Sequence, residues 1–534
     1  MLFPVQASFL YWSVAVLFVL IRFKKNRRSL PPGPLSLPFI GNLRYLISRP
    51  NWLTYTDWCR EYDSDIVYFN IAGTSYIILN SLEAATELLE RRSGIYSSRP
   101  KFRMLNDDRV GDSIFLRRVE VLTAPTRWKW SFVSMPYGPE WKAHRKLVTN
   151  MFNPNNPDEH EPRELKATRI LLLKLHKSPD DLFQHLLDMA GSTILSAIYG
   201  FDVAAVQRSS YIETSEQAVK GFLQATVPGN FLVDDVPWLK YMPSWVPGTS
   251  FQGQVQLWRE SMESALNGPY DEMKNHFFDN GPESCLVSRC LAKASGEHDE
   301  DSMIKQVAAT MYFGGTDTTV TTLKNFLLAM VQFPESQKKA QQELDRVVGK
   351  NRLPDFTDRN SLPYIGAILY ETMRWQPTAP EGLSHAVTQE DLYKGYRIPK
   401  NSTVIPNIWA MMHDEQTFED PFTFNPDRYI RPADGQLDHN LLKTVAISFG
   451  FGRRICAGKH MALSATWIVI ASILSVFDIS RAVDENGEII EPSMKLKPGT
   501  LLQNQPSPYK LSIKLRSPEC LHVMQTDVDF VEGQ

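Results

Sequence analysis

The chain has 534 residues, of which 43% are hydrophobic and 22% charged, and its formal net charge is −3. These values are typical of an ordinary globular protein and give no sign of a nucleic-acid partner. Five cysteines are too few, and odd in number, for a disulfide framework, so the composition indicates a reducing compartment. No internal repeat or Gly/Ser-rich linker divides the sequence, which favours one large domain.

The N-terminus differs from that of a soluble protein. Its first 21 residues carry no charged side chain, and Ala7–Ile21 is almost continuously apolar. Basic residues follow at once: Arg22, Lys24, Lys25, Arg27 and Arg28. A secretory signal peptide carries its positive charges before the apolar run and a cleavage site after it. We therefore expect residues 1–22 to form a signal-anchor transmembrane helix that leaves the rest of the chain in the cytosol.

Beyond the anchor, residues 23–35 form a basic, proline-rich segment whose fixed φ angles make it stiff. Alternating apolar residues then predict two short strands, Ile66–Asn70 and Tyr76–Asn80, around a turn at Gly73. An amphipathic helix is predicted over Leu82–Arg91. Strand patterns return at 396–400 and 403–406, so the sequence predicts a mainly α-helical fold with a small β-sheet.

A long helix is predicted over Ser302–Phe333. The largely acidic segment Glu297–Asp301 before it suits a helix N-terminus. Its middle reads Phe313-Gly314-Gly315-Thr316-Asp317-Thr318-Thr319. Each glycine weakens a helix by about 1 kcal/mol, and threonine hydroxyls compete for backbone carbonyls. We expect a local kink here that opens a groove.

Two further segments carry charged residues with a defined spacing. Glu371 and Arg374 lie three residues apart on the helix predicted over Tyr364–Trp375, and so share one face. About fifty residues later, Arg428 stands in the segment Phe424–Tyr429. Taken alone, the first pair is also what an ordinary surface helix would carry.

The most informative segment is Phe449–Gly458, in which Cys456 is surrounded by glycines and two arginines. Cysteine binds iron as the thiolate, and backbone N–H groups with nearby cations stabilise that charge. Gly452 and Gly458 are expected to allow tight turns where a Cβ atom would clash. The alternative is a buried structural cysteine in a glycine-rich loop.

The pattern Phe449-x-x-Gly452-x-Arg454-x-Cys456-x-Gly458 resembles the haem-binding signature of the cytochromes P-450. Similarity to the family extends from the proline-rich segment to about Arg516. The resemblance implies a cytochrome P-450 fold preceded by a single transmembrane helix. Its domains would be an anchor (1–22), a hinge (23–35), a catalytic domain (36–516) and a disordered, polar and acidic tail (517–534).

The resemblance also implies roles for individual residues. Cys456 would be the axial thiolate of haem b, in a loop shaped by Phe449, Gly452 and Gly458. Proton transfer to dioxygen would fall to Asp317 and Thr318. The haem propionates would be held by Arg454, Trp141, Arg145 and His385. A buried structural network, which holds only while every partner is present, would join Glu371, Arg374 and Arg428.

The function that this implies is a monooxygenase that inserts one oxygen atom from O2 into an apolar substrate. Segments such as 76–80 and 447–454 resemble fungal secondary-metabolism members, which suggests a terpenoid, polyketide or aromatic substrate. Electrons would come from NADPH through a separate NADPH–cytochrome P-450 reductase. The expected location is the endoplasmic reticulum membrane, single-pass, with the catalytic domain facing the cytosol.

Three alternatives stay open. A haem-thiolate isomerase or dehydratase would act on peroxides without a reductase, and a non-catalytic membrane protein would only bind haem; retention of Asp317 and Thr318 disfavours both. The segment Asp112–Trp130 has no clear period and fits the family poorly. Its part Asp112–Pro125 is either a long specificity loop or a translated intron.

Overall fold

The computed structural model describes the chain from Ser29 to Glu532, except residues 39, 46–49, 107–127, 152–159, 203–209, 228–229, 244, 247–248, 250, 296–297 and 493–508. The expected membrane anchor and the segment Asp112–Pro125 therefore lie outside the described residues, and both stay predictions.

Helices dominate the described chain. They are α1 (Asn51–Glu61), α2 (Leu82–Ala85), α3 (Ser93–Tyr96), α4 (Arg103–Asn106), α5 (Pro139–Met151), α6 (Glu161–Lys177), α7 (Leu182–Tyr199), α8 (Ser210–Ala225), α9 (Leu232–Asp235), α10 (Phe251–Asn280), α11 (Leu286–Leu291), α12 (His298–Gln332), α13 (Pro334–Val347), α14 (Pro363–Trp375), α15 (Ile408–Met412), α16 (His439–Val445), α17 (Lys459–Val476) and α18 (Glu519–Glu532). A π-helical stretch, Thr86–Arg91, continues α2, so the helix predicted over Leu82–Arg91 is confirmed with a change of type halfway.

The strands are short and form three small sheets. They are β1 (Ile66–Ile71), β2 (Thr74–Leu79), β3 (His385–Ala386), β4 (Asp391–Tyr393), β5 (Tyr396–Ile398), β6 (Thr403–Pro406), β7 (Phe477–Val483), β8 (Ile489–Ile490) and β9 (Leu511–Leu515). The largest sheet has the order β1-β2-β6-β3, in which β1 and β2 are antiparallel and β2 and β6 parallel. The predicted hairpin at Gly73 and the later strands are confirmed.

Helix α12 crosses the centre of the protein, packing against α7, α17 and α14. It is α-helical without interruption through Gly314 and Gly315, and the local kink expected there stays a prediction. The two glycines act differently. A Cβ atom on Gly315 would lie 2.5 Å from the side chain of Ile194 on α7, whereas one on Gly314 would meet nothing within 4 Å. Gly315 therefore permits close helix packing, and Gly314 leaves open space.

Helix α17 follows Cys456 and is apolar along its whole length. By length and composition it could span a membrane, but 72% of it is buried inside the protein, as expected for a core helix. Its residues Trp467 and Ile468 are 1% and 0% exposed. Within the described residues it is the one helix that meets this criterion.

The expectation of a disordered tail was wrong for residues 519–532, which form α18. The helix packs on α6, and Met524 is fully buried there. Asp527 forms an ion pair with Arg169, which is 2% exposed. The acidic composition of the tail concealed apolar residues at helical spacing, among them Leu521 and Met524, that supply one buried face.

Candidate functional site

One cavity of about 380 Å³ brings together the residues that carry the predicted chemistry. Its walls come from the Cys456 loop, α12, α5, α7, α8, and the segments before α5 and β3. Cys456, Asp317 and Thr318 all line it, although the first lies far from the other two in sequence. The fold therefore places a thiol and a carboxyl–hydroxyl pair around one space.

The backbone of the Cys456 loop is tightly constrained. The N–H of Cys456 donates to the carbonyl of Phe449 at 2.7 Å. Gly452 has φ +52°, and a Cβ atom there would lie 2.4 Å from the carbonyl oxygen of Leu89, so only glycine fits. Gly458 differs from the expectation. Its φ is −87°, and a Cβ atom would meet only a methionine methyl group at 3.6 Å, so no steric clash requires glycine there.

The thiol of Cys456 lies inside the protein but is open to the cavity. Burial raises its pKa, and a hydrogen bond from the N–H of Gly458 with the positive charges of Arg145 and Lys459 offsets part of that rise. Without a metal the thiol is therefore neutral, and binding a cation would expel its proton. No group of three or more His, Cys, Asp or Glu side chains suited to a metal ion exists within the described ranges.

The face of α12 that borders the cavity carries Gly314, Asp317 and Thr318. The Oγ1 hydroxyl of Thr318 donates to the carbonyl of Gly314 at 2.8 Å, which leaves its lone pairs free. Burial, followed by the negative charge of Glu216, raises the pKa of Asp317 to about 6, and Lys324 opposes this shift. The Asp317 carboxyl can therefore both take up and release a proton near neutral pH.

Arg454 is anchored by the backbone. Its Nε donates to the carbonyl of Ser97 at 2.7 Å, Nη1 to Phe132 at 3.0 Å and Nη2 to Met135 at 2.6 Å. Its guanidinium also lies 4.4 Å from the ring centre of Trp141. These contacts use three of its five N–H donors and leave two. Burial lowers the pKa of Arg454 to about 9.

Arg99 is a cavity residue that the sequence reasoning missed, since no motif marks it. Its Nε donates to the carbonyl of Val133 at 2.9 Å, and Nη1 to those of Leu383 and Ser384 at 2.7 and 2.8 Å. Burial, and then repulsion from Arg454, lower the pKa of Arg99. In the part of the chain that the structure describes, every hydrogen-bond acceptor of Arg99 and Arg454 is a backbone carbonyl.

Three other predicted residues lie on the same side of the cavity. The Nε1 of Trp141 is buried and has no hydrogen-bond partner among the described residues, and the cavity borders both Trp141 and Arg145. His385 lies 2.8 Å through Nδ1 from the carbonyl of Tyr96, so Nδ1 carries the proton and Nε2 of the neutral ring can only accept. Burial and the charge of Arg99 lower the pKa of His385, whereas a carboxylate beside it would raise that pKa.

These residues fit a haem. A single thiol can hold iron only if a cofactor supplies the remaining ligands, and a porphyrin does so. The unpartnered indole N–H of Trp141 and the carbonyl-bound guanidinium groups suit two propionate carboxylates, which would supply the missing negative charge. The open space beside Gly314 suits a flat ligand.

The predicted buried network is present. Glu371 Oε2 lies 2.7 Å from Arg374 Nε, and Glu371 Oε1 lies 3.2 Å from Arg428 Nε. The hydroxyl of Tyr429 and the backbone N–H of Asn425 also donate to Glu371, at 3.1 and 2.8 Å. Tyr429 was missed, because a tyrosine in a turn segment is not a recognisable signal. The carboxylate is fully buried and fully paired, and the network does not line the cavity.

Comparison with known proteins agrees with this geometry. The sequence profile of the family described as Cytochrome P-450 matches residues 31–512. Cytochrome P-450 monooxygenase 98 of Postia placenta is 40% identical over 94% of this chain and 93% of its own length. An Armillaria gallica cytochrome P-450 monooxygenase is also 40% identical, over 97% of this chain and 98% of its own length. Tryptamine 4-monooxygenase of Psilocybe cyanescens is 35% identical over 93% of this chain and 95% of its own length.

The chain therefore belongs to the cytochrome P-450 family, an oxidoreductase family whose relatives here are fungal monooxygenases. Membership implies a haem-thiolate iron, O2, a substrate and a redox partner.

Proposed function

We propose that this protein is a membrane-attached monooxygenase that inserts one atom of O2 into an apolar small molecule of fungal secondary metabolism. The observation that carries the proposal is that Cys456 and the Asp317–Thr318 pair line one cavity. An isomerase acting on peroxides has no use for a titratable carboxyl beside a hydroxyl, so the pair favours oxygen chemistry.

In this proposal Cys456 holds the haem iron through its thiolate, with Arg145 and Lys459 stabilising the charge. Arg99, Arg145, Arg454 and Trp141 hold the propionates, and His385 joins them once protonated. Bound haem supplies the redox-active iron that activates dioxygen, and a thiolate ligand favours O–O cleavage. The residues around it fix its orientation and keep bulk water away.

Asp317 and Thr318 move protons. The Asp317 carboxyl, with its pKa near 6, takes a proton from the solvent side and passes it toward the cavity. Thr318 Oγ1 accepts a hydrogen bond from the cavity side while its own proton stays on the carbonyl of Gly314. Because this arrangement needs no rearrangement of α12, the continuous helix is compatible with the role.

Electrons would come from NADPH through a separate reductase. Arg453 and Lys142 are exposed beside the Cys456 loop and the start of α5, where both contact the ring of Tyr137 at 5.3 Å. Positive charge near the thiolate suits an acidic electron-donor surface, and the resulting attraction would weaken with salt.

Membrane attachment is supported by exposed apolar side chains as well as by the N-terminal sequence. Trp238, Tyr241 and Trp245 are 57%, 43% and 81% exposed, and Leu35 is 75% exposed. Tryptophan and tyrosine favour the membrane–water interface. We place the protein in the endoplasmic reticulum membrane with the catalytic domain on the cytosolic side.

The test uses the full-length holoprotein with a reductase and a substrate that it turns over. Thr318→Ala is expected to retain haem but to release hydrogen peroxide from a larger share of the NADPH consumed. Thr321→Ala, one turn after Thr318, fully buried and outside the cavity lining, is the control and should leave coupling unchanged. Unaltered coupling in Thr318→Ala would contradict the proposed role, and steady product formation without NADPH would favour the isomerase.

A further inference from the structure

Four aromatic side chains from three parts of the chain pack together at the cavity. Trp128 stacks on Trp130 with ring centres 5.5 Å apart and planes at 18°. Its other neighbours are Phe222 on α8 at 4.8 Å and Phe313 on α12 at 5.4 Å. Trp128, Phe222 and Phe313 line the cavity. We call these four residues the aromatic wall.

The aromatic wall is closely packed. Trp128 and Phe313 are 6% and 7% exposed, and each ring of the wall contacts at least one other. Aromatic side chains have only two χ angles, so little conformational entropy is lost when a ligand binds. A flat ligand gains favourable ring contacts here, worth about 0.5–1.5 kcal/mol per pair beyond area burial, whereas a flexible chain loses rotamer freedom.

Two hydroxyl groups stand next to the aromatic wall. Ser131 follows Trp130 directly, Thr310 lies one turn before Phe313, and both side chains are buried in the cavity wall. Their Oγ atoms are 3.5 Å apart. Thr310 donates its proton to the carbonyl of Gln306 at 2.8 Å. The hydroxyl of Ser131 is therefore able to donate to an oxygen atom of a ligand.

Every ionisable side chain that lines the cavity within the described residues already has a proposed role in binding haem or in moving protons. Within the described part of the chain, the lining includes Arg99, Arg145, Asp317, His385, Arg454 and Cys456 and no other ionisable side chain. None of them belongs to the aromatic wall or the hydroxyl pair. A negatively charged group placed there would lose its hydration without gaining a partner.

We propose that the enzyme selects a substrate without a negative charge, with several fused flat rings and one hydrogen-bond-accepting oxygen. The rings lie on the aromatic wall, and the oxygen accepts from Ser131 Oγ. Thr310 precedes Thr318 by about two turns, or about 12 Å along α12, so a single ring cannot reach from the hydroxyl pair to the proton-transfer pair. This inference rests on the proposed function and names its substrate class.

The test measures binding of four probes to full-length holoprotein. Fluorenone has fused rings and a carbonyl; fluorene lacks the oxygen; tridecanone has the same carbon count and a carbonyl but no ring; fluorene carboxylate adds a charge. Affinity is read from the ligand-induced rise in Tm, which does not depend on turnover, and from the change in the haem absorption band. We expect fluorenone to bind most tightly, and the carboxylate most weakly.

Two variants test which residues produce the preference for fluorenone. Trp128→Leu should weaken fluorenone about tenfold and tridecanone by less than about twofold, since it removes a ring contact. Ser131→Ala should weaken fluorenone about fivefold and leave fluorene unchanged. Trp245→Leu removes an exposed tryptophan and is the control that should alter neither.

The outcomes distinguish the proposed substrate class from the proposed monooxygenase activity. Equal binding of tridecanone and fluorenone, tight binding of the carboxylate, or equal weakening of all probes by Trp128→Leu would overturn the substrate class even if haem and NADPH-dependent turnover are normal. If the probe order and the variant effects hold but no turnover with a reductase is found, the substrate class stands and the proposed monooxygenase activity falls.

Discussion

The protein contains two groups of buried arginines with opposite electrostatics. In the first, Arg374 and Arg428 share the carboxylate of Glu371, so two positive charges have one counter-charge between them. In the second, Arg99 and Arg454 donate to backbone carbonyls, and within the described residues no carboxylate bonds either. We call these the paired group and the unpaired group.

The difference shows which group is complete without a cofactor. The paired group has a counter-charge within the chain and lies away from the cavity, so its task is to hold the fold. The unpaired group concentrates positive charge at the cavity edge, where burial, and then repulsion from Arg454, lower the pKa of Arg99. It becomes balanced only when an anion binds, which is the behaviour expected of a propionate site.

The largest effect is expected in the paired group. Glu371→Gln leaves two buried guanidinium groups without a counter-charge and should lower the free energy of unfolding by about 3–5 kcal/mol, with or without haem. Thermal or denaturant unfolding of the haem-free and haem-bound proteins measures this. Asp434→Asn breaks the exposed ion pair with Arg431 and is the control, with little or no expected loss of stability. A loss confined to the haem-bound form would contradict the distinction between the groups.

Arg145, beside the unpaired group, is expected to matter for haem binding and not for the stability of the haem-free protein. Arg145→Leu should weaken haem binding about 10- to 100-fold, because a charge-assisted hydrogen bond contributes about 1.5–3 kcal/mol. It should not destabilise the haem-free protein, since burial already lowers the pKa of this guanidinium. Transfer of haem to an acceptor protein gives the affinity, and unfolding gives the stability. Equal losses in both measurements would mean that Arg145 is structural.

Asp317 is a buried acid, and its replacement is expected to change the free energy of unfolding in the opposite direction to Glu371→Gln. The pKa of Asp317 is raised to about 6, so the folded protein holds this proton more tightly than the unfolded chain does. That stabilisation is complete below the unfolded pKa of about 3.9 and is lost as the pH rises through 6. Asp317→Asn should therefore raise the free energy of unfolding by about 3 kcal/mol near pH 8 and change it little near pH 4, while slowing turnover. Destabilisation near pH 8 would refute the assignment.

The smallest effect is expected at Trp141. Trp141→Phe removes the unpartnered Nε1 donor but keeps a ring beneath Arg454. Haem affinity should fall less than about tenfold, and the stability of the haem-free protein should be unchanged, because that donor has no described protein partner. Trp467→Phe, whose Nε1 is also buried without a partner but lies outside the cavity, should leave haem affinity unaltered.

Much of this arrangement was predictable from the sequence, because short motifs constrain it locally. The strands β1 and β2 and helix α14 follow from residue type and spacing, whereas the Cys456 loop and the paired group were predicted from the resemblance to the family. Arg99 and Tyr429 were missed because their partners are backbone carbonyls and a distant carboxylate, which no local pattern encodes. The α18 helix was missed because acidic residues concealed its apolar face.

The most direct test of the central claim, that Cys456 holds a haem as its thiolate, is the difference spectrum of the reduced full-length protein with carbon monoxide. A strongly red-shifted Soret band, lost in Cys456→Ser while the protein stays folded, is the predicted result. A band at the position of histidine-ligated or ligand-free haem in the folded wild-type protein would contradict it.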